Sequence, residues 1–140
     1  MIREAKDSDE SVLADMLQDM TMELWPENAS PDFIQYEREI RKHLWNPRDY
    51  VFIDNENKGF FIVRDETEAI TPNRKIYNGL RVYIKPEYRK TRLLKDFYDY
   101  LFKVFPNGEI WGITEYHSEH NKVLLKRHEP VAIVYKLKRR

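Results

Sequence analysis

Apolar residues recur at helical spacing twice in the first third of the chain. Val12, Leu13, Met16, Leu17, Met20 and Leu24 follow the i, i+3, i+4 rule and predict a helix, which Asp7 or Ser8 can cap and Pro26 ends. A second helix starts near Ser30, Pro31 and Asp32 and carries Phe33, Ile34, Ile40 and Leu44 towards Trp45. Proline is tolerated in that first turn because its missing N–H would have lacked a partner there. Ahead of both helices, residues 2–5 read as a short strand. The period then changes. Residues 49–53 and 59–64 are apolar runs rich in strand formers, joined by an Asn- and Gly-containing turn, and they predict an antiparallel hairpin.

Residues 65–75 are polar, contain Pro72 and read as a loop. Residues 75–84 form a further strand, closed by Pro86. Leu93, Leu94, Phe97, Leu101, Phe102 and Phe105 predict a helix over about 90–105, ended by Pro106, Asn107 and Gly108. A strand over 110–114, a short helix from Ser118 or Asn121 to His128 and a last strand over 131–137 complete the order β-α-α-β-β-β-α-β-α-β. This is a mixed α/β sheet protein, read as a single domain over 1–140. No internal repeat or linker interrupts it.

Composition narrows the class. At 41% hydrophobic and 14% aromatic residues, the chain can build a core and is no disordered tail. It has no cysteine, which removes disulfides, thiolate metal ligands and a cysteine nucleophile. Its apolar runs are too short to span a bilayer, and the charged N-terminus lacks a signal-peptide core, so the expected location is cytoplasmic. Basic and acidic residues number 24 each, but unevenly placed. Residues 1–40 hold eleven acids against Arg3, Lys6 and Arg38. Residues 74–104 hold nine bases against three acids, which suits a phosphate-bearing ligand.

The segment Val82, Tyr83, Ile84, Lys85, Pro86, Glu87, Tyr88, Arg89 resembles a strand ending in V-x-P-E-Y-R, the mark of the Gcn5-related N-acetyltransferase (GNAT) family. Glu119 to Leu125, centred on Asn121, resembles that family's N-x-x-A/V-x-x-L helix. Element order and length agree across almost the whole chain. The resemblance implies transfer of an acetyl group from acetyl-CoA to an amine of a small molecule or protein, by direct attack without a covalent enzyme intermediate.

It also implies a site. The family's glycine-rich turn, R/Q-x-x-G-x-G/A, corresponds here to Arg89, Lys90, Thr91, Arg92, Leu93 and Leu94. Backbone N–H groups at a helix start would bind the pyrophosphate, helped by the charges of Arg89, Lys90 and Arg92. Backbone groups of Tyr83, Ile84 and Lys85 would pair with the pantetheine in a splay between the fourth and fifth strands, with Asn121 on its other side. Arg92 and Leu94 stand where the family has small residues. The family's tyrosine acid and Gly-Phe are absent: counting from Asn121, His128 takes the tyrosine's place, and anchoring on the last strand, Leu125 does. His128 is the candidate acid, an imidazole being able to protonate a leaving thiolate. Glu115, at the end of the fifth strand, is the candidate base, ahead of Glu66 and Glu68. Asn78 sits near the usual strand-four base position and cannot act as one. The acidic first helices would shape an acceptor pocket for a cationic amine.

Other readings compete. A GNAT-shaped protein without catalysis could serve as a binding or assembly module, such as a virion or accessory protein of a tailed bacteriophage. Basic stretches with Tyr77, Tyr83, Tyr88, Tyr98 and Tyr100 offer a minor nucleic-acid reading. His43, His117, His120 and His128 do not assemble a metal set in the sequence. The expected partners are acetyl-CoA and an amine, with a homodimer or protein partner left open and no membrane.

Overall fold

The computed structural model describes residues 1–112 of the 140-residue chain. Its elements are β1 (Ile2–Glu4), α1 (Glu10–Leu24), α2 (Phe33–Trp45), β2 (Asp49–Asp54), β3 (Gly59–Asp65), β4 (Ile76–Ile84), α3 (Leu93–Val104) and β5 (Glu109–Gly112). Short 3-10 turns cover Asp7–Asp9 and Pro86–Tyr88. The expected helix before residue 128 and strand over 131–137 lie outside the described residues. Every expected element before them is present.

The strands form one sheet in the order β1-β2-β3-β4-β5. The first four are antiparallel, and β4 pairs with β5 in parallel through α3. Both faces of the sheet are covered. Val51, Ile53, Phe60, Ile62 and Tyr83 pack with Leu13, Met16, Leu17, Tyr36 and Ile40 of α1 and α2. Phe52, Phe61, Val63 and Ile84 point the other way and pack with Leu93, Phe97, Leu101 and Phe105 along α3. Central strands buried on both sides need no polar alternation, which is why 51–53 and 60–63 read as continuous apolar runs.

Details at the element ends differ from the sequence pattern. Neither Asp7 nor Ser8 caps α1: both lie in the 3-10 turn, and Asp9 holds the N-cap position without a side-chain cap bond. The Asp9 carboxylate instead accepts from the Lys6 amide (2.8 Å) and the Arg3 guanidinium (2.7 and 2.9 Å). Asp32 caps α2 by accepting from the Ile34 amide at 3.0 Å. Helix α3 starts at Leu93 rather than near Lys90, because Pro86–Tyr88 makes its own turn first. Met16 and Met20 enter the core while Met22 is exposed.

The pairing of β3 with β4 is irregular at one point. The register runs Ile62↔Arg81 and then Val63↔Gly79, so Leu80 is an extra residue in β4. Such a bulge puts two consecutive side chains on one face. Leu80 packs against the α1/α2 core, and Arg81 also faces these helices.

Candidate functional site

The end of β4, the 3-10 turn and the start of α3 bring the basic segment together. Lys85 leaves the sheet with its amide donating to the Lys58 carbonyl at 2.9 Å. Arg89 folds back over the strand: its Nε donates to the Ile84 carbonyl at 2.9 Å, and its guanidinium lies 5.7 Å from the Tyr83 ring centroid. Its two terminal nitrogens fork onto the Glu23 carboxylate of α1 at 2.5 and 2.6 Å. Glu23 raises the Arg89 guanidinium above its ordinary range, against the opposing effect of burial. Arg89 is therefore already engaged by the protein although it is exposed, as Lys90, Thr91 and Arg92 also are.

The helix start is partly closed and partly open. Thr91 Oγ1 donates to the Tyr88 carbonyl at 2.6 Å and accepts from the Leu93 amide at 3.3 Å. The Arg92 carbonyl accepts the Asp96 amide at 2.9 Å, the first bond of the helix ladder. The amides of Leu94 and Lys95 find no acceptor among the described residues. These are the donors a helix start leaves unpaired and presents to an anion. Leu93 is buried, and Leu94 packs half-buried against the α3 core, so neither side chain stands over the turn. One edge of β4 near Tyr83 and Ile84 is paired to β3; on the other edge β4 meets β5 from Ile76 to Gly79.

A second feature sits on the opposite side of β4. A cleft of about 360 Å³ lies between α1, α2 and the strand, lined by Leu17, Thr21, Trp25, Gln35, Tyr36, Glu39 and Arg81. Its carboxylate, Glu39, belongs to a chain of charges running under α2. Glu39 Oε1 lies 3.5 Å from both Arg81 Nη2 and His43 Nε2. His43 is buried, and its Nδ1 meets Asp49 Oδ2 at 2.7 Å. Arg64 forks onto Asp49 at 2.7 and 3.0 Å. Burial pushes the Asp49 carboxyl up, but the Arg64 and His43 bonds outweigh it and hold the group below the usual carboxylate range. The cleft thus carries one carboxylate and one guanidinium. The acidic composition of the first helices points to a cationic amine and does not foresee the guanidinium.

The other expected residues are more scattered. Glu66 and Glu68 are exposed at the beginning of β4, where the Glu66 amide bonds the Ile76 carbonyl. That is the far end of the strand from the basic turn, roughly 25 Å away at 3.3 Å per residue. Asn78 lies beside Arg64 and Trp111 in the sheet, and its buried Oδ1 has no hydrogen-bond partner. Tyr83 is core, and Tyr77, Tyr88, Tyr98 and Tyr100 pack against the α3 core, which leaves the nucleic-acid reading without its aromatic face. Glu115, Asn121 and His128 lie outside the described residues. Among the described residues no helix is long and apolar enough to cross a membrane. Sequence reasoning missed Glu23, Glu39 and Arg81. Glu39 had a weak signal, sitting four residues before His43 on the buried stripe of α2; Arg81 had none, because only the bulge turns it to this face.

No family model and no curated protein matches the sequence. Solved structures do match. A possible acetyltransferase from Clostridium difficile 630 superposes with a TM-score of 0.79 at 17% identity, covering 99% of this chain and 96% of that one. A ribosomal-protein-alanine N-acetyltransferase from Brucella melitensis biovar Abortus 2308 gives 0.73 at 14% identity, covering 99% and 97%. A predicted acetyltransferase from Clostridium acetobutylicum, solved with acetyl-CoA, gives 0.73 at 14% identity, covering 99% and 95%. Identity this low carries shape rather than chemistry, and the shape agrees over nearly the full length of each partner: the chain has the fold of the GNAT acetyltransferases.

Proposed function

We propose that the chain is an N-acetyltransferase that uses acetyl-CoA to acetylate an amine. The observation that carries this reading is the open start of α3, with free amides at Leu94 and Lys95 beside exposed Lys90 and Arg92, in a fold shared with a predicted acetyltransferase solved with acetyl-CoA. The pyrophosphate would accept from those amides, and Lys90 and Arg92 would neutralise its charge. Thr91 and Leu93 would hold the turn in shape. Arg89 would join only by exchanging Glu23 for a phosphate. The pantetheine would run along Tyr83, Ile84 and Lys85 on the edge away from β3, with Asn121 beside it.

The cleft lined by Glu39 and Arg81 would hold the acceptor. The amine nitrogen would attack the thioester carbonyl, forming the C–N bond as the C–S bond breaks. Glu115 would take the amine proton, and His128 would protonate the departing thiolate.

Calorimetric titration with acetyl-CoA and CoA tests this. Lys90 and Arg92 are exposed and make no ion pair among the described residues, so a Lys90→Ala, Arg92→Ala variant should fold normally. Micromolar binding that weakens at least tenfold in this variant is the expected result. Absence of heat at millimolar ligand overturns the proposal. The observation that Arg89 is already held by Glu23 would then favour the other reading, a GNAT-shaped binding or assembly module.

A further inference from the structure

Five arginines among the described residues fork onto carboxylates in two-point contacts: Arg3 on Asp9, Arg41 on Glu10, Arg64 on Asp49, Arg74 on Glu109 and Arg89 on Glu23. The shorter contact of each lies between 2.5 and 2.8 Å. Arg81 and Glu39 break this habit. They meet at one point only, at 3.5 Å, and no hydrogen bond closes on the Glu39 carboxylate among the described residues. His43 Nε2 at 3.5 Å and Lys42 Nζ at 3.8 Å are equally loose. His43 Nε2 is buried and has no hydrogen-bond partner. The loose pair is also the one that lines the cleft.

A guanidinium and a carboxylate in this relation keep most of their bonding capacity. The guanidinium fork matches a ligand carboxylate, and the Glu39 oxygens match an ammonium. Leu17, Trp25 and Tyr36 supply apolar and aromatic walls around them. The volume, about 360 Å³, is at the small end for ligand sites. A ligand that answers all of this carries an ammonium and a carboxylate on neighbouring atoms and an apolar body. We propose that the cleft binds a free α-amino acid with an apolar or aromatic side chain, Glu39 receiving the α-ammonium and Arg81 the α-carboxylate. This rests on the reading of the cleft as the acceptor site, and it makes the α-amine the group acetylated.

The test is titration of the full chain, with and without CoA, using L-phenylalanine, phenethylamine and N-acetyl-L-phenylalanine. The second probe lacks the carboxylate and the third lacks the ammonium. L-Phenylalanine should bind about tenfold or more tighter than either. Arg81→Gln should erase its advantage over phenethylamine, and Glu39→Gln its advantage over N-acetyl-L-phenylalanine; the two variants report independently if one fails to fold. No binding of L-phenylalanine, equal binding of all three probes, or discrimination unchanged in both variants overturns the inference. CoA binding without amino-acid binding overturns it and leaves the acetyltransferase reading standing. Amino-acid binding without any acetyl-CoA binding keeps the roles of Glu39 and Arg81 in binding and overturns the acetyltransferase reading, and with it acetylation of the α-amine.

Discussion

Arg89 and Glu23 form a two-point ion pair that ties the basic turn after β4 to the last turns of α1, 66 residues earlier in the chain. Thr21 and Trp25, on either side of Glu23, line the cleft. The same pair therefore adjoins both halves of the proposed site, and an anion that takes Arg89 must release Glu23.

Glu23→Gln should make that exchange easier. Both side chains are partly exposed, so the pair contributes at most about 1 kcal/mol to stability. CoA affinity should rise about threefold in calorimetric titration, while the melting temperature falls by a degree or two. Unchanged CoA affinity would mean that Arg89 stays outside the phosphate site.

Asp49 should govern part of the acid limb of stability. Its side chain is fully buried, and its carboxyl is held below the usual range, about 3.9 in an unfolded chain. A depressed folded-state pKa contributes stability above the unfolded value, and that stability is lost as pH falls through the folded value. Thermal melts between about pH 2 and pH 7 should show this loss below about pH 4. Asp49→Asn should flatten that limb and cost about 3 kcal/mol at neutral pH, because Arg64 and His43 lose their shared acceptor. An acid limb parallel to that of the unmutated protein would assign it to other carboxylates.

Gly59 has no room for a side chain. A Cβ there would stand 2.5 Å from the Tyr83 carbonyl oxygen, which is backbone and cannot swing aside. Gly59→Ala should therefore cost about 2 kcal/mol in chemical denaturation. Because Tyr83 belongs to the strand edge proposed for pantetheine, the variant should weaken CoA as well. Wild-type stability in this variant would mean that the β3–β4 pairing relaxes freely.

Phe97 is completely buried between α3 and Phe61, with the ring centroids 6.2 Å apart. Phe97→Ala should lose about 3–5 kcal/mol. Denaturant titration reads this directly, and a loss under 1 kcal/mol would mean that the α3 face collapses to fill the space.

The fold was legible because its signals are local. Residues 51–53 and 60–63 read as strands from an apolar run alone, and Asp32 announces the start of α2 one residue before it. The site was legible only where it is contiguous, from Tyr83 to Leu94. Arg89 looked free because its acceptor lies on another element, and no spacing rule connects positions 23 and 89. Arg81 looked like one more exposed base in a basic stretch. Its partner on α2 becomes visible only once the sheet register is known.

That register has a consequence for how β4 must be read. On the β5 side of Leu80, Tyr77 and Gly79 look towards α3 and Asn78 towards α2; beyond it, Arg81 and Tyr83 take the α2 side, and Val82 and Ile84 the other. The strand is two alternations out of phase, joined at one residue. Deleting Leu80 would merge the two into one regular alternation and leave Arg81 to Ile84 on their present faces, at the loss of the Leu80 contact with the α1/α2 core. A one-residue gap here therefore removes a bulge rather than shifting a register, and an alignment that places one at this position describes the same two faces.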